Sequence, residues 1–241
     1  MKPQVYFLTD TGARRESNQD SCLANEELGL YVVADGMGGH SGGEVASLMA
    51  VKTVEDVVSN PDTASLSPRE TINKAYQEAS QRIYDRAAEA SELSGMGTTM
   101  VLALLRGDRM YTANVGDSRC YLFKKPFLWQ ITEDHSLINE QIRAGVLNLE
   151  DARHFVGRNV ITRSVGYERF VLPDIIEREV YPGETYLLCS DGLSGLVTDS
   201  KICEILMKNS PDKVPQICVQ QAIENGGDDN VTVMVVHFPV N

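Results

Sequence analysis

Apolar positions along the chain fall into two patterns: short runs in which every residue is apolar, and longer stretches in which apolar residues recur at helical spacing. Leu30-Tyr31-Val32-Val33-Ala34 leaves no room for polar alternation, which predicts a strand buried on both faces. Tyr186-Leu187-Leu188-Cys189 and Val231-Thr232-Val233-Met234-Val235-Val236 predict two more of the same kind. Residues 5–9 predict a first strand, and residues 99–105, 110–115 and 119–123 predict three in succession. Arg106-Gly107-Asp108-Arg109 and Gly116-Asp117-Ser118, which separate these three, read as tight hairpin connections. Consecutive hairpins imply antiparallel sheet and argue against a doubly wound parallel fold, where each strand returns through a helix. Residues 175–180 and 185–189 predict a further pair joined by Tyr181-Pro182-Gly183-Glu184, whose Pro-Gly is a turn signal.

Helical spacing appears in four places. Ser41-Gly42-Gly43 leads into a helix with Ala46, Ala50, Val54 and Val57 on one face. Ser67-Pro68-Arg69-Glu70 combines an N-cap serine, a first-turn proline and a capping-box glutamate, and opens a long helix that keeps Ile72, Ala75, Tyr76, Ala79, Ile83 and Ala87 on one side. A third helix begins near Thr198-Asp199 and carries Ile202, Ile205 and Leu206; a fourth begins at Ser210-Pro211, carries Val214, Ile217, Cys218 and Ala222, and stops at Asn225-Gly226-Gly227. Between them, residues 137–160 are helical but short and interrupted. Such a segment serves either as a flap over a cleft or as a packed subdomain, and its residues do not decide between the two.

Candidate chemistry sits at the ends of the apolar runs. The first closes in Asp35-Gly36-Met37-Gly38-Gly39-His40, and the glycines leave bare backbone that a peptide carbonyl or a phosphate can approach. Ser190-Asp191-Gly192 repeats the construction, and Asp229 directly precedes the third run. A single Asp-Gly is ordinarily a turn. Three strand-end aspartates from distant segments point instead to a shared site for a hard metal ion. Upstream, Arg14-Arg15-Glu16-Ser17-Asn18-Gln19-Asp20 is either a solvated connection or the source of a phosphate-clamping arginine and of an aspartate that ligates metal or orients water. Asp117 is a turn residue unless its turn points at the same site.

Charge and cysteine usage narrow the class. A net charge of −12 over 241 residues repels a phosphate backbone or an anionic membrane at long range, so bound cations must supply any attraction for phosphate. Five cysteines without a paired motif read as reduced, mostly buried thiols. No apolar run approaches the roughly 20 residues that span a bilayer. The expectation is one domain over 1–241, cytoplasmic, monomeric, and free of nucleic-acid or membrane partners.

Six motifs in order, Arg15-x-x-Asn18-Gln19-Asp20, Ala34-Asp35-Gly36-Met37-Gly38-Gly39-His40, Met96-Gly97-Thr98-Thr99, Val115-Gly116-Asp117-Ser118-Arg119, Ser190-Asp191-Gly192-Leu193 and Asp229-Asn230-Val231-Thr232, resemble the bacterial branch of the metal-dependent protein phosphatases, the type 2C or PPM family. The resemblance runs from about residue 9 to residue 236. It implies an α+β fold, a four-layer α-β-β-α sandwich of two face-to-face antiparallel sheets flanked by helices. It implies that Asp35 bridges two Mg²⁺ or Mn²⁺ ions, that the Gly36 carbonyl reaches one, and that Asp191 and Asp229 hold the other. Asp117 with Asp191 would hold a third ion, Asp20 would sit behind the attacking water, and Arg15 would take the substrate phosphate. The implied activity is hydrolysis of phosphoserine and phosphothreonine in proteins, opposing a serine/threonine kinase, without a covalent phospho-enzyme. All-oxygen ligation agrees with magnesium or manganese.

The sequence departs from the family pattern twice. Eukaryotic relatives place a histidine directly after the Asp-Gly as acid for the leaving alkoxide. Here Met37 stands there and His40 follows three residues on, either as that acid or as a structural hydrogen bonder. Asp228 stands where many relatives carry arginine, beside the ligand Asp229. Two other readings share parts of the pattern: a two-metal phosphodiesterase, disfavoured by the acidic balance, and a non-enzymatic signalling module of the same fold, disfavoured by the complete aspartate set.

Overall fold

A computed structural model describes residues 2–148, 157 and 160–240, with the backbone alone at 39–41. Its strands are β1 (Gln4–Asp10), β2 (Asp20–Asn25), β3 (Leu30–Met37), β4 (Gly97–Thr98), β5 (Met100–Arg106), β6 (Arg109–Val115), β7 (Arg119–Lys124), β8 (Phe127–Gln130), β9 (Asp174–Glu179), β10 (Thr185–Cys189) and β11 (Val231–His237). Its helices are α1 (Gly39–Ser59), α2 (Pro68–Glu89), α3 (Leu137–Arg143), α4 (Asp191–Ser194), α5 (Asp199–Lys208) and α6 (Val214–Glu224). One sheet runs β1-β11-β10-β7-β8; the other runs β2-β3-β5-β6-β9, with β4 added beside the end of β3. Every strand pairing is antiparallel.

Three hydrophobic cores separate four layers, and the wholly apolar strands are apolar because each faces two of them. Leu30, Val32 and Ala34 pack against α1 and α2 with Ala46, Ala50, Val54, Ile72, Ala75 and Ile83. Tyr31 and Val33, on the opposite face of the same strand, meet Tyr186, Leu188, Met234 and Val236 between the sheets. Leu187, Cys189, Val231, Val233 and Val235 turn outward to α5 and α6, where Ile202, Ile205, Cys218 and Ala222 cover them. The capping box at Ser67 and Glu70 is formed, with both reciprocal bonds in place. Tyr76 anchors α2 by donating one bond toward Met100 O and Ala113 O, each 3.0 Å away, on β5 and β6.

One predicted connection is different. Gly116-Asp117-Ser118 is not a hairpin: β6 pairs with β5 and β9 in one sheet, while β7 pairs with β10 and β8 in the other. These three residues carry the chain from sheet to sheet. Local turn chemistry looks the same in both cases, because only the partner of the next strand distinguishes a hairpin from a crossover. The expected flap at 137–160 is described in part: α3 is capped by Ser136, whose hydroxyl accepts from the Asn139 amide, and a turn follows at Gly145. Residues 149–156 and 158–159, which belong to the same expectation, lie outside the described residues.

Candidate metal centre

The antiparallel pairing gathers the aspartates at strand ends and in the connections beside them. Asp35 lies late in β3, and Asp20, the first residue of β2, is its register partner. Asp191 lies two residues beyond the end of β10 and Asp229 two residues before the start of β11, so antiparallel pairing of these two strands puts both at one end of that sheet. The crossover bearing Asp117 leaves β6 at the same end. Arg15, Asp35, Gly36, Asp117, Asp191 and Asp229 accordingly line one open cleft of about 460 Å³.

Both Asp-Gly glycines are required by close packing. A Cβ on Gly36 would stand 2.0 Å from the carbonyl oxygen of Gly43, and one on Gly192 would stand 2.0 Å from that of Asn230. A backbone carbonyl does approach the bare position, as the glycines suggested. The Asp35 carbonyl is fixed from the other side by the Thr99 amide at 2.9 Å and the Thr98 hydroxyl at 2.8 Å.

Electrostatically the cluster is poorly compensated. Burial first, then the neighbouring aspartates, push the Asp35 carboxyl well above the usual carboxylate range. Asp117 is raised to about 7 by burial and by Asp191 and Asp134, and burial raises Asp191 as well. Asp20 is raised to about 6 by burial, against hydrogen bonds from the hydroxyls of Thr232 at 2.6 Å and Ser190 at 2.8 Å to its Oδ2. Oδ1 of Asp20 and Oδ1 of Asp191 are buried without a partner. Arg15 Nη2 lies 2.7 Å from Asp229 Oδ2, while Arg119, the other nearby guanidinium, is spent on a bidentate pair with Asp134. Buried like charges, orphaned carboxylate oxygens and an all-oxygen donor set fit hard divalent cations. Among the described residues, no three or more His, Cys, Asp and Glu side chains are already drawn together in a geometry that would hold an ion. Arg15 occupies Asp229, and two hydroxyls occupy Asp20.

All the expected site residues whose side chains are described therefore meet at one end of the sandwich. His40 falls in the first turn of α1, and its side chain lies outside the described residues. Sequence reasoning missed the residues that hold the aspartates. Ser190 and Thr232 grip Asp20, and Asn230 ties down the arginine loop, accepting from the Gln19 amide at 2.8 Å and donating to the carbonyls of Thr11 and Ser17 at 2.9 Å each. A signal existed for Thr232: its run places Met234 and Val236 between the sheets, and a hydroxyl at the same parity needs a partner there. His135 was also missed. Its Nδ1 accepts from the Gly116 amide at 3.1 Å and its own amide donates to the Gly116 carbonyl at 2.9 Å, so the residue before Asp117 is held at both its amide and its carbonyl. Burial, then Arg163, holds His135 below the usual histidine range and keeps Nδ1 free to accept.

Comparison with known proteins places this geometry. The sequence profile described as "Protein phosphatase 2C" matches residues 7–231. The "Serine/threonine phosphatase stp" of Listeria monocytogenes is 38% identical over 237 residues, covering 95% of this chain and 94% of that protein. The crystal structure of the Mycobacterium tuberculosis serine/threonine phosphatase PstP/Ppp superposes with a TM-score of 0.91 at 32% identity, over 99% of both chains. A structure of the catalytic domain of PstP in complex with 2 manganese ions gives a TM-score of 0.88 at 32% identity, again over 99% of each chain. Sandwich, acidic cleft and relatives together define a class of enzyme, the metal-dependent protein phosphatases. The chain belongs to the protein phosphatase 2C family.

Proposed function

We propose that the chain hydrolyses phosphoserine and phosphothreonine in proteins at the cleft around Asp35. In this reading Asp35 and the Gly36 carbonyl, with Asp191 and Asp229, hold two Mg²⁺ or Mn²⁺ ions, and Asp117 with Asp191 holds a third. The observation that carries it is the convergence of five aspartates and Arg15, from segments spread over the whole chain, on one end of both sheets. Bound there, divalent cations lower the pKa of water and offset the charge of the phosphoryl group.

The chain's own residues supply orientation. Ser190 and Thr232 fix Oδ2 of Asp20 and leave Oδ1 to accept a hydrogen bond from the attacking water. Arg15, half exposed on its tether to Asp229, turns to the substrate phosphate, where its planar fork makes two parallel charge-assisted bonds. His40 enters this reading as the candidate acid for the departing alkoxide, its alternative role being that of a structural hydrogen bonder. Free cysteines support a reducing, cytoplasmic setting. In this reading the chain acts there as a monomer that opposes a serine/threonine kinase. Among the described residues no helix is long and apolar enough to cross a membrane.

Turnover of p-nitrophenyl phosphate with Mn²⁺ tests the reading. Chelation, Asp35→Asn and Asp191→Asn are each expected to abolish it, and a phosphothreonine peptide is expected to be cleaved where a bis-ester is not. Retained turnover in both variants would remove the aspartates from the chemistry. For His40→Ala, hydrolysis of an alkyl phosphoester is expected to fall much further than that of an aryl one with a good leaving group. Equal losses on the two would end the acid role.

A further inference from the structure

A second concavity opens beside the aspartate cleft. It has a volume of about 610 Å³, and Met37, Gly38 and Ile161 line both, so the two are continuous. Its outer wall is made of Tyr167, Phe170 and Leu172, which are 66%, 59% and 45% exposed although each is large and apolar. Exposed apolar side chains scattered singly are ordinary; three around one concavity beside a catalytic cleft are a surface built to be covered.

The walls are held in place by backbone. Residue 165 exchanges both its hydrogen bonds with Thr98, at 2.9 and 2.8 Å, and the amide of Thr162 donates to the His135 carbonyl at 2.8 Å. Ser80 on α2 donates to the Glu168 carbonyl at 2.7 Å and accepts from the Gly166 amide at 2.9 Å. Arg163, the cation on the rim, is already committed: Nη1 lies 2.9 Å from Asp174 Oδ1 and Nη2 donates to the Leu172 carbonyl. With its cation so engaged, the pocket offers apolar area and the exposed Glu168 carboxylate but no free positive charge, and an acidic segment approaching it would also meet the aspartates of the adjoining cleft.

We infer that this pocket takes a large aliphatic or aromatic side chain of the phosphoprotein substrate, from a residue within a few positions of the phosphoserine or phosphothreonine. The occupant follows from continuity: an extended peptide whose phosphate lies in the aspartate cleft advances about 3.3–3.6 Å per residue, and its neighbours must cross one of the surfaces that open from that cleft. The inference rests on the protein-phosphatase reading above and specifies its substrate class. Side-chain burial of this size is worth on the order of tenfold or more in kcat/KM.

The test is a set of phosphothreonine peptides in which each of the four positions on either side of the phosphoresidue carries in turn Ser, Leu or Phe. The expected result is a preference of on the order of tenfold in kcat/KM for Leu or Phe over Ser at one or two of these positions. That preference should collapse in Tyr167→Ser and in Phe170→Ser. It should persist in Phe127→Ser, which removes an equally exposed aromatic from β8, at the far edge of the other sheet. Because all three side chains project from the surface, loss of the preference is separable from misfolding by thermal melts of the same preparations. A flat profile among peptides that are hydrolysed, or a preference that survives in both pocket variants, overturns the inference alone. Failure to hydrolyse any phosphopeptide, with p-nitrophenyl phosphate still turned over, overturns it together with the reading it rests on.

Discussion

At the scale of single residues the cleft divides into side chains that line it and side chains that hold them. The lining was legible because three aspartates at the ends of apolar runs, far apart in sequence, are more than the turn that a single Asp-Gly marks. The holders were not, because a serine beside an aspartate or a threonine in a strand is common and its partner lies far off in sequence: Thr232 reaches Asp20 across 212 positions. Such orienting bonds are worth about 10–100-fold in metal affinity or activity. Thr232→Val keeps the shape and removes only the hydroxyl. The expected outcome is a fold unchanged by circular dichroism and a loss of roughly tenfold or more in kcat/KM at saturating Mn²⁺. An unchanged rate would mean that Ser190 alone suffices to orient Asp20.

At the scale of elements, apolar periodicity carried the prediction furthest where a strand or helix faces a core. The helical faces expected from Ala46, Ala50 and Val54, from Ile72, Ala75 and Tyr76, and from Ile202 and Ile205 are all buried. What periodicity does not encode is which sheet a strand joins, so the crossover at 116–118 resembled a hairpin and β2 passed unmarked. The Asp-Gly junctions show why the elements meet so closely at the cleft: the backbones around Gly36 and Gly192 touch where a side chain would otherwise stand. Gly192→Ala is expected to cost on the order of 3 kcal/mol, since its new methyl can be accommodated only by moving the Asn230 peptide next to Asp229. Gly107, whose φ is +63 but around which nothing lies within 4 Å, provides the contrast: Gly107→Asn is expected to change stability by under roughly 1 kcal/mol. Chemical denaturation of both variants checks the pair, and a loss at Gly192 no larger than at Gly107 would mean that the crowding against Asn230 is relieved by a small shift.

For the molecule as a whole, the cleft is a place where stability is given up, and pH makes the loss measurable. Burial raises Asp20 to about 6 and Asp117 to about 7, and raises Asp35 and Asp191 as well. A carboxyl whose folded pKa lies above its unfolded value near 4 binds its proton more tightly when folded. Its stabilisation is therefore complete below about pH 4 and is lost as pH rises through the folded values. The metal-free protein should melt at a higher temperature near pH 5.5 than at pH 8, even though an acidic chain gains nothing else at the lower pH but reduced net charge. General charge repulsion predicts the same direction, so the discriminating variant is Asp117→Asn. It removes one charge of −12 but the whole of one raised carboxyl, and should raise the metal-free melting temperature at pH 8 by several degrees, about 2 kcal/mol, by roughly half as much at pH 5.5, and hardly at all near pH 4. Mn²⁺ or Mg²⁺ at pH 8 should recover the wild type's deficit in proportion to the logarithm of its concentration above Kd. A surface control, Asp62→Asn, changes net charge equally and should do almost nothing at either pH. If it matches Asp117→Asn, the pH dependence belongs to the overall charge, and the cleft is not where the repulsion is concentrated.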